Sequence, residues 1–306
     1  MYEILDYKGW PNCIRLYNDE IELIATTDIG PRVMRFGFIS GQNLFYVSPM
    51  DQGKTGGSQW RIYGGHRLWL APEELSRSYY PDNDPLTYTF HTHTLKLSQA
   101  REITTGIVKE MEITLSPVKN QVTVLHRLIN QSRDNIEVAP WSLSALDVGG
   151  RAIIPQEPFG EGHEYLLPVR SLALWKYTKM NDPRWIWGEK YIQAKQDPSN
   201  ISEQKLGILN QQGWSAYYLN GELLIKKFNY NPGAVYPDYG SNNEIYIDGN
   251  FLEMETLGPL TTIPPAGVVT HLEHWLLTKA IADESEESID ATILPVVNSF
   301  SIPTGP

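Results

Sequence analysis

FLEMETLGPLTTIPPAGVVTHLEHWLL, the stretch from Phe251 to Leu277, reads as strand, turn, strand. Side chains alternate across a strand, so Leu252, Met254 and Thr256 share one face while Glu253 and Glu255 share the other. Pro264, Pro265 and Gly267 supply the turn. Beyond it His271, Glu273 and Trp275 alternate with Leu272, His274 and Leu276, so one of the two histidines points inward and the other does not. Two neighbouring carboxylates on one face raise each other's pKa, which suits a general acid or base working near neutral pH. The alternative is that Glu253 and Glu255 simply meet solvent, as most glutamates do.

The same alternating or β-branched pattern recurs along the chain, in CIRLY, IELIA, RVMRFGF, GIVKEMEITL, QVTVLHRLI, IEVAPWSLSAL, ELLIKKF and others. Turn-forming clusters such as YNDE, YPDNDP and NQSRDN separate these runs. No segment sustains a helical period for long, so helices are expected to be few and short. So many strands in one open sheet would leave long edges exposed; two large antiparallel sheets stacked face to face are the expected all-β architecture. No repeat period points to a propeller or solenoid. Residues 155–200 are rich in Pro, Gly and Asp yet hold Trp175, Trp185 and Trp187, which a flexible linker would not contain. They read as a long loop-rich excursion within a single domain spanning 1–306, with 282–306 as a possible tail that packs only in part.

Acidic residues outnumber basic ones, 36 to 25, for a formal charge of −11. That charge repels a phosphate backbone and an anionic membrane surface, so neither nucleic acid nor membrane is expected as a partner. Cys13 is the only cysteine, which excludes an internal disulfide and a multi-cysteine zinc site. With no secretory start and no apolar run long enough to span a bilayer, a cytoplasmic location is the expectation. Oligomeric state is not legible.

The densest chemistry lies in GGHRLWLAPEE, from Gly64 to Glu74. The glycine pair permits a tight turn or a close backbone approach. Histidine, here His66, is the side chain whose unperturbed pKa lies nearest neutrality, Arg67 is a fixed cation with a planar donor fork, and Trp69 is a broad apolar plate. Together they suit a polar ligand with an apolar face. The alternative is a glycine bulge after which Leu68 and Leu70 enter the core and His66 is merely hydrogen-bonded. His91 and His93 form an H-x-H pair, a metal signal, but the next carboxylate, Glu102, does not fall where a cupin-like site would place it. Neither a metal nor another cofactor is expected, and the two histidines read as solvated or substrate-facing. There is no G-x-S-x-G elbow, P-loop or dinucleotide fingerprint. Nine tryptophans and 17 tyrosines, several in loops, favour a carbohydrate, whose apolar ring face stacks on aromatic plates while carboxylates and Arg take the hydroxyls.

From about Cys13 to Thr278 the order of elements resembles the galactose mutarotase-like supersandwich, the superfamily of aldose 1-epimerases. The resemblance is carried by IATTDIGPRVMRFGF, GGHRLW, HRLINQSRDNIEVAPWSLSAL and the closing LEMETLGPLTTIPPAGVVTHLEHWLL. It implies a catalytic base at Glu255, with Glu253 as the alternative register, and a histidine acid at His66. The family's second histidine would fall in PWSLSAL, where Trp141 or Ser142 stands, so the chain looks like a branch distinct from true galactose mutarotases.

Three functions are open. In an aldose epimerase, an isomerase, Glu255 would take the anomeric proton and His66 would protonate the ring oxygen, while Arg67, Trp69, Asp147 and Trp187 hold the sugar. In a non-catalytic carbohydrate-binding or sensing protein, Trp141 would replace the lost histidine. In an epimerase or lyase acting on acidic sugars, His66, Arg67, His91 and His93 would form a cationic site.

Overall fold

The computed structural model describes residues 1–158, 160–164 and 166–302. Its strands are β1 (Tyr2–Tyr7), β2 (Trp10–Tyr17), β3 (Ile21–Thr26), β4 (Arg32–Phe38) and β5 (His66–Ala71), then β6 (Thr87–His91), β7 (Thr94–Ser98), β8 (Ile107–Leu115), β9 (Gln121–Asn130) and β10 (Ile136–Leu146). Shorter strands follow: β11 (Arg151–Pro155), β12 (Leu172–Leu174), β13 (Trp185–Trp187), β14 (Tyr191–Lys195), β15 (Gln204–Ile208), β16 (Trp214–Leu219) and β17 (Glu222–Phe228). The last four are β18 (Asn243–Ile247), β19 (Leu252–Leu257), β20 (Thr261–Ile263) and β21 (Val268–Lys279).

They form two antiparallel sheets. One has 11 strands in the order β1-β2-β3-β4-β5-β10-β19-β18-β15-β12, with β20 paired to β10; the other has 10 in the order β13-β14-β11-β16-β17-β21-β9-β8-β7-β6. These are the two large antiparallel sheets expected from the strand pattern, arranged as the supersandwich that the family resemblance implies. The Phe251–Leu277 stretch is the link between its layers: β19 lies between β10 and β18, whereas β21 lies between β9 and β17 of the opposite sheet. The turn therefore carries the chain across the sandwich.

The main core fills the space between the sheets. Leu252 and Met254 from β19, Ile245 from β18 and Leu206 from β15 meet Met111, Val124 and Trp275 from the other layer. The excursion at 155–200 contributes β12 to one sheet edge and β13 and β14 to an edge of the other. Within 282–306, helices at Glu286–Thr292 and Leu294–Ser299 bury Ile289, Ile293, Val297 and Phe300 against β11, β16 and β17, so the described part packs on the sheet rather than running into solvent. Ser285 caps the first of these helices by accepting from the Ser288 amide.

Candidate functional site

Gly64 and Gly65 open β5 with φ of 93° and 72°, and a Cβ on either would overlap a backbone carbonyl, that of Tyr46 or of Val33. The close approach foreseen for this pair is thus what brings β5 against β4 and the preceding loop. From His66 onward the strand alternates. His66, Leu68 and Leu70 turn into the sandwich, whereas Arg67, Trp69 and Ala71 face the outer side of the 11-stranded sheet.

That outer face carries a cavity of about 580 Å³, within the usual size range for a small-molecule site. Its floor is built by cross-strand neighbours, which share a face in an antiparallel ladder. One row runs Arg67, Leu143, Glu255, Glu244 across β5, β10, β19 and β18; the next runs Glu253, Tyr246, Lys205 across β19, β18 and β15. Trp69 and Trp141, paired across β5 and β10, form one wall with Trp60 and Tyr79. Trp175 and Tyr177, from the excursion, also line it.

Charges on this floor are paired. Arg67 Nη1 donates to Glu253 Oε1 at 2.8 Å and its guanidinium lies 4.6 Å from the Trp69 ring centre. Glu255 Oε2 accepts from Trp141 Nε1 at 2.7 Å and from Lys205 Nζ at 3.3 Å. Lys205 also meets Glu244 at 2.8 Å and is held between the rings of Trp141 and Trp175, at 4.5 and 4.7 Å. Burial raises the Glu255 carboxyl to about 7, although the Lys205 ammonium pulls the other way and Glu253 adds to the rise. Among the described residues, three polar atoms of the cavity lining have no hydrogen-bond partner, Glu255 Oε1, Arg67 Nε and Trp60 Nε1, and neither do the two carboxyl oxygens of Glu244 on the floor. Unpaired buried polar atoms are costly, so a ligand supplying hydroxyl groups would satisfy them.

Of the residues singled out in the sequence, Arg67, Trp69, Trp141, Glu253 and Glu255 converge here. The others do not. His66 as the acid is corrected by the pleat: it is adjacent to Arg67 in sequence and therefore on the opposite face. His91 and His93 sit at the β6–β7 hairpin on the edge of the other sheet, so the cationic site for acidic sugars is not formed. Asp147 follows the end of β10 and lies outside the cavity, its carbonyl oxygen accepting from Tyr217. Trp187 lies on edge strand β13, 39% exposed, with its indole N–H donating to Met180 O. Lys205 and Glu244 had no place in the sequence reading, and Trp175 entered it only as one of the tryptophans of the excursion; nothing local marks them as site residues, because they come to Glu255 only through sheet order and the return of the excursion.

His66 belongs to a second polar cluster, wholly inside the sandwich. Its Nε2 lies 2.7 Å from His126 Nε2, and its Nδ1 lies 2.8 Å from Ser144 Oγ. His126 Nδ1 faces the His271 carbonyl at 3.0 Å and must carry a proton. His126 Nε2 is then the acceptor, His66 Nε2 the donor, and Ser144 donates to His66 Nδ1. Glu273 Oε1 accepts from Ser142 and Thr256, each at 2.6 Å, Oε2 accepts from Trp275 Nε1 at 2.8 Å, and Lys226 bonds both oxygens. Burial lowers all three histidines, His66 well below its usual value, His126 to about 4 and His271 to about 3. Burial alone would raise Glu273, but Lys226 together with His66, His126 and His271 outweighs it and holds the carboxyl well below the usual range. Ligand atoms of His66, His126 and Glu273 lie within 4.8 Å of one another. They do not suit a metal, since the carboxylate is already saturated by protein donors and Lys226 supplies the cation. The cluster ties the two sheets together. His126 and Lys226 could have been found in the sequence, because QVTVLHRLIN and ELLIKKF place them in phase with core residues.

No protein-family model matches this sequence, and no curated protein matches it. Solved structures do. A galactose mutarotase-like protein from Clostridium acetobutylicum is 11% identical with a TM-score of 0.53, over 91% of this chain and 98% of that one. One from Lactobacillus casei is 10% identical with a TM-score of 0.53, over 87% and 100%. A TPR-domain containing protein from Parabacteroides distasonis is 16% identical with a TM-score of 0.61; it is matched over 96% of this chain but only 49% of its own length. At these identities the likeness shows the fold, which is galactose mutarotase-like. Among the described residues no helix is long and apolar enough to cross a membrane.

Proposed function

We propose that this galactose mutarotase-like chain binds a sugar in the cavity over β5, β10, β19, β18 and β15 and exchanges its anomers, with Glu255 as the base. The observation that carries the reading is Glu255 itself: fully buried on the floor, raised to about 7, with Oε1 unpartnered. A base of that pKa is matched to work at neutral pH. Trp69 and Trp141 offer apolar plates to the ring face, and Arg67 with Glu253 offers a donor and an acceptor to its hydroxyls. Five carboxylates line the cavity (Glu73, Glu203, Asp248, Glu253 and Glu255) against two cations, Arg67 and Lys205. That balance favours a neutral sugar over a phosphorylated or acidic one.

The test is anomer exchange followed by NMR or polarimetry over a panel of neutral aldoses. Acceleration above buffer by catalytic amounts of protein is the expected result; none with any sugar would overturn the proposal. The rate constant kcat/KM should rise with pH to half its plateau at about 7, because only the ionised Glu255 accepts the anomeric proton. Trp69→Ala should weaken sugar binding by about tenfold, on the order of 1–1.5 kcal/mol, and raise KM more than it lowers kcat.

A non-catalytic sugar-binding protein is the second reading, favoured by the lack of any histidine among the residues lining the cavity. Calorimetric titration showing saturable sugar binding without exchange would select it.

A further inference from the structure

We infer that Lys205 is the group that protonates the ring oxygen when the bound sugar opens, taking the part first assigned to His66. This assignment rests on the anomer-exchange reading above. The reaction needs a base on the anomeric hydroxyl and a proton donor on the ring oxygen. Both oxygens are bonded to the same carbon, so donor and base must stand side by side.

Two groups bond Glu255 Oε2 from the floor, Trp141 Nε1 and Lys205 Nζ. An indole N–H hydrogen-bonds but does not give up its proton at neutral pH. Arg67, the other cation of the cavity, is engaged by Glu253, and a guanidinium is a far weaker acid than an ammonium. An ammonium carries three N–H donors. Glu255 accepts from one of those of Lys205 at 3.3 Å and Glu244 pairs with the ammonium charge at 2.8 Å, which leaves N–H donors for a ligand. The rings of Trp141 and Trp175 confine the amine from both sides, and only 5% of its side chain is exposed.

The step balances. Glu255 takes the anomeric hydroxyl proton, and that O–H electron pair becomes the second bond of the C1 carbonyl. The bond from C1 to the ring oxygen breaks, and its electron pair goes to that oxygen. Burial favours the neutral amine, but Glu244 and Glu255 outweigh it and hold the Lys205 ammonium well above the ordinary lysine range. It therefore gives its proton to the ring oxygen only as the breaking bond leaves alkoxide charge there, and it becomes a neutral amine. Rotation about the bond from C1 to C2 presents the other carbonyl face, and the steps then reverse, returning both protons. During opening the Glu255–Lys205 pair passes from an ion pair to a neutral pair, so the buried floor never gains or loses net charge. Glu244 remains beneath as the counter-charge that draws the proton back to Lys205.

The experiment compares anomer exchange by wild type, Lys205→Arg and Lys205→Ala, with sugar binding measured by calorimetry and folding by circular dichroism. Lys205→Arg keeps the charge that Glu244 needs but does not release a proton. It should bind sugar within a few-fold of wild type and slow exchange by about 100-fold, the lower end of general acid–base contributions. Lys205→Ala should be slowed similarly and be rescued in a saturable way by ethylamine, which should leave wild type unaffected. Wild-type exchange that survives Lys205→Arg, or a folded, sugar-binding Lys205→Ala that ethylamine does not rescue, overturns the assignment while the parent reading stands. Absence of exchange by wild type overturns both.

Discussion

Replacing Glu255 with Gln is expected to lower anomer exchange by about 10²- to 10⁴-fold, the range that a positioned general base supplies. Gln is nearly isosteric and its amide oxygen can still accept from Trp141 Nε1, which Glu255 Oε2 does now at 2.7 Å. Sugar binding should therefore persist while turnover disappears. Stability should change in a characteristic way with pH. The Glu255 pKa is raised from an ordinary 4.5 to about 7 in the folded chain. Its contribution to folding is thus complete below about 4.5 and is lost as pH rises through about 7. Gln does not titrate, so the stability of the variant relative to wild type should grow between pH 4.5 and pH 7 and then level off. Thermal unfolding across that range checks it. An active Glu255→Gln enzyme would exclude Glu255 as the base, and a difference that does not vary with pH would exclude the raised pKa.

Lys226→Met or Glu273→Gln should destabilise the fold by about 3–5 kcal/mol, the usual cost of leaving one member of a buried ion pair alone. Both side chains are fully buried, and Glu273 joins Ser142 and Thr256 of one sheet to Lys226 and Trp275 of the other. The paired variant Lys226→Met with Glu273→Gln should cost less than the two single changes added, because neither charge is then stranded. Acid should act in the same direction. His126 and His271 are lowered from 6.5 to about 4 and about 3, so the unfolded chain takes up protons first and stability is lost as pH falls below about 6.5. Glu273, held well below 4.5, adds to the loss as pH falls from that value through its folded pKa. Urea unfolding of the single and double variants at pH 7 and pH 5 measures both effects. Single-variant costs under about 1 kcal/mol would show that the cluster does not hold the sheets together.

Strand-level features were readable because they are local. Period two alone put Glu253 and Glu255 on one face of LEMETL, and applied to HRLW it puts Arg67 and Trp69 together and His66 opposite. Grouping His66 with Arg67 followed the density of chemistry in GGHRLWLAPEE, and then the family pattern, against the pleat. His126 and Lys226 carried a similar local signal, each sitting where its strand would otherwise place an apolar core residue. Lys205 carried none: in QKLGI it stands on the non-core face, where a lysine ordinarily meets water.

The sequence by itself determined the class of fold, the alternation of each strand and the face on which each acidic or aromatic side chain projects, since these follow from backbone geometry over a few residues. Only the tertiary structure decided which strands are neighbours. The order β5-β10-β19-β18-β15 brings Arg67, Glu255, Glu244 and Lys205 onto one floor from positions up to 188 residues apart. The path of the excursion returns Trp175 over Lys205. Hydrogen-bond ladders are blind to sequence separation, so that assembly is set by how two whole sheets bury their apolar faces together and not by any single segment.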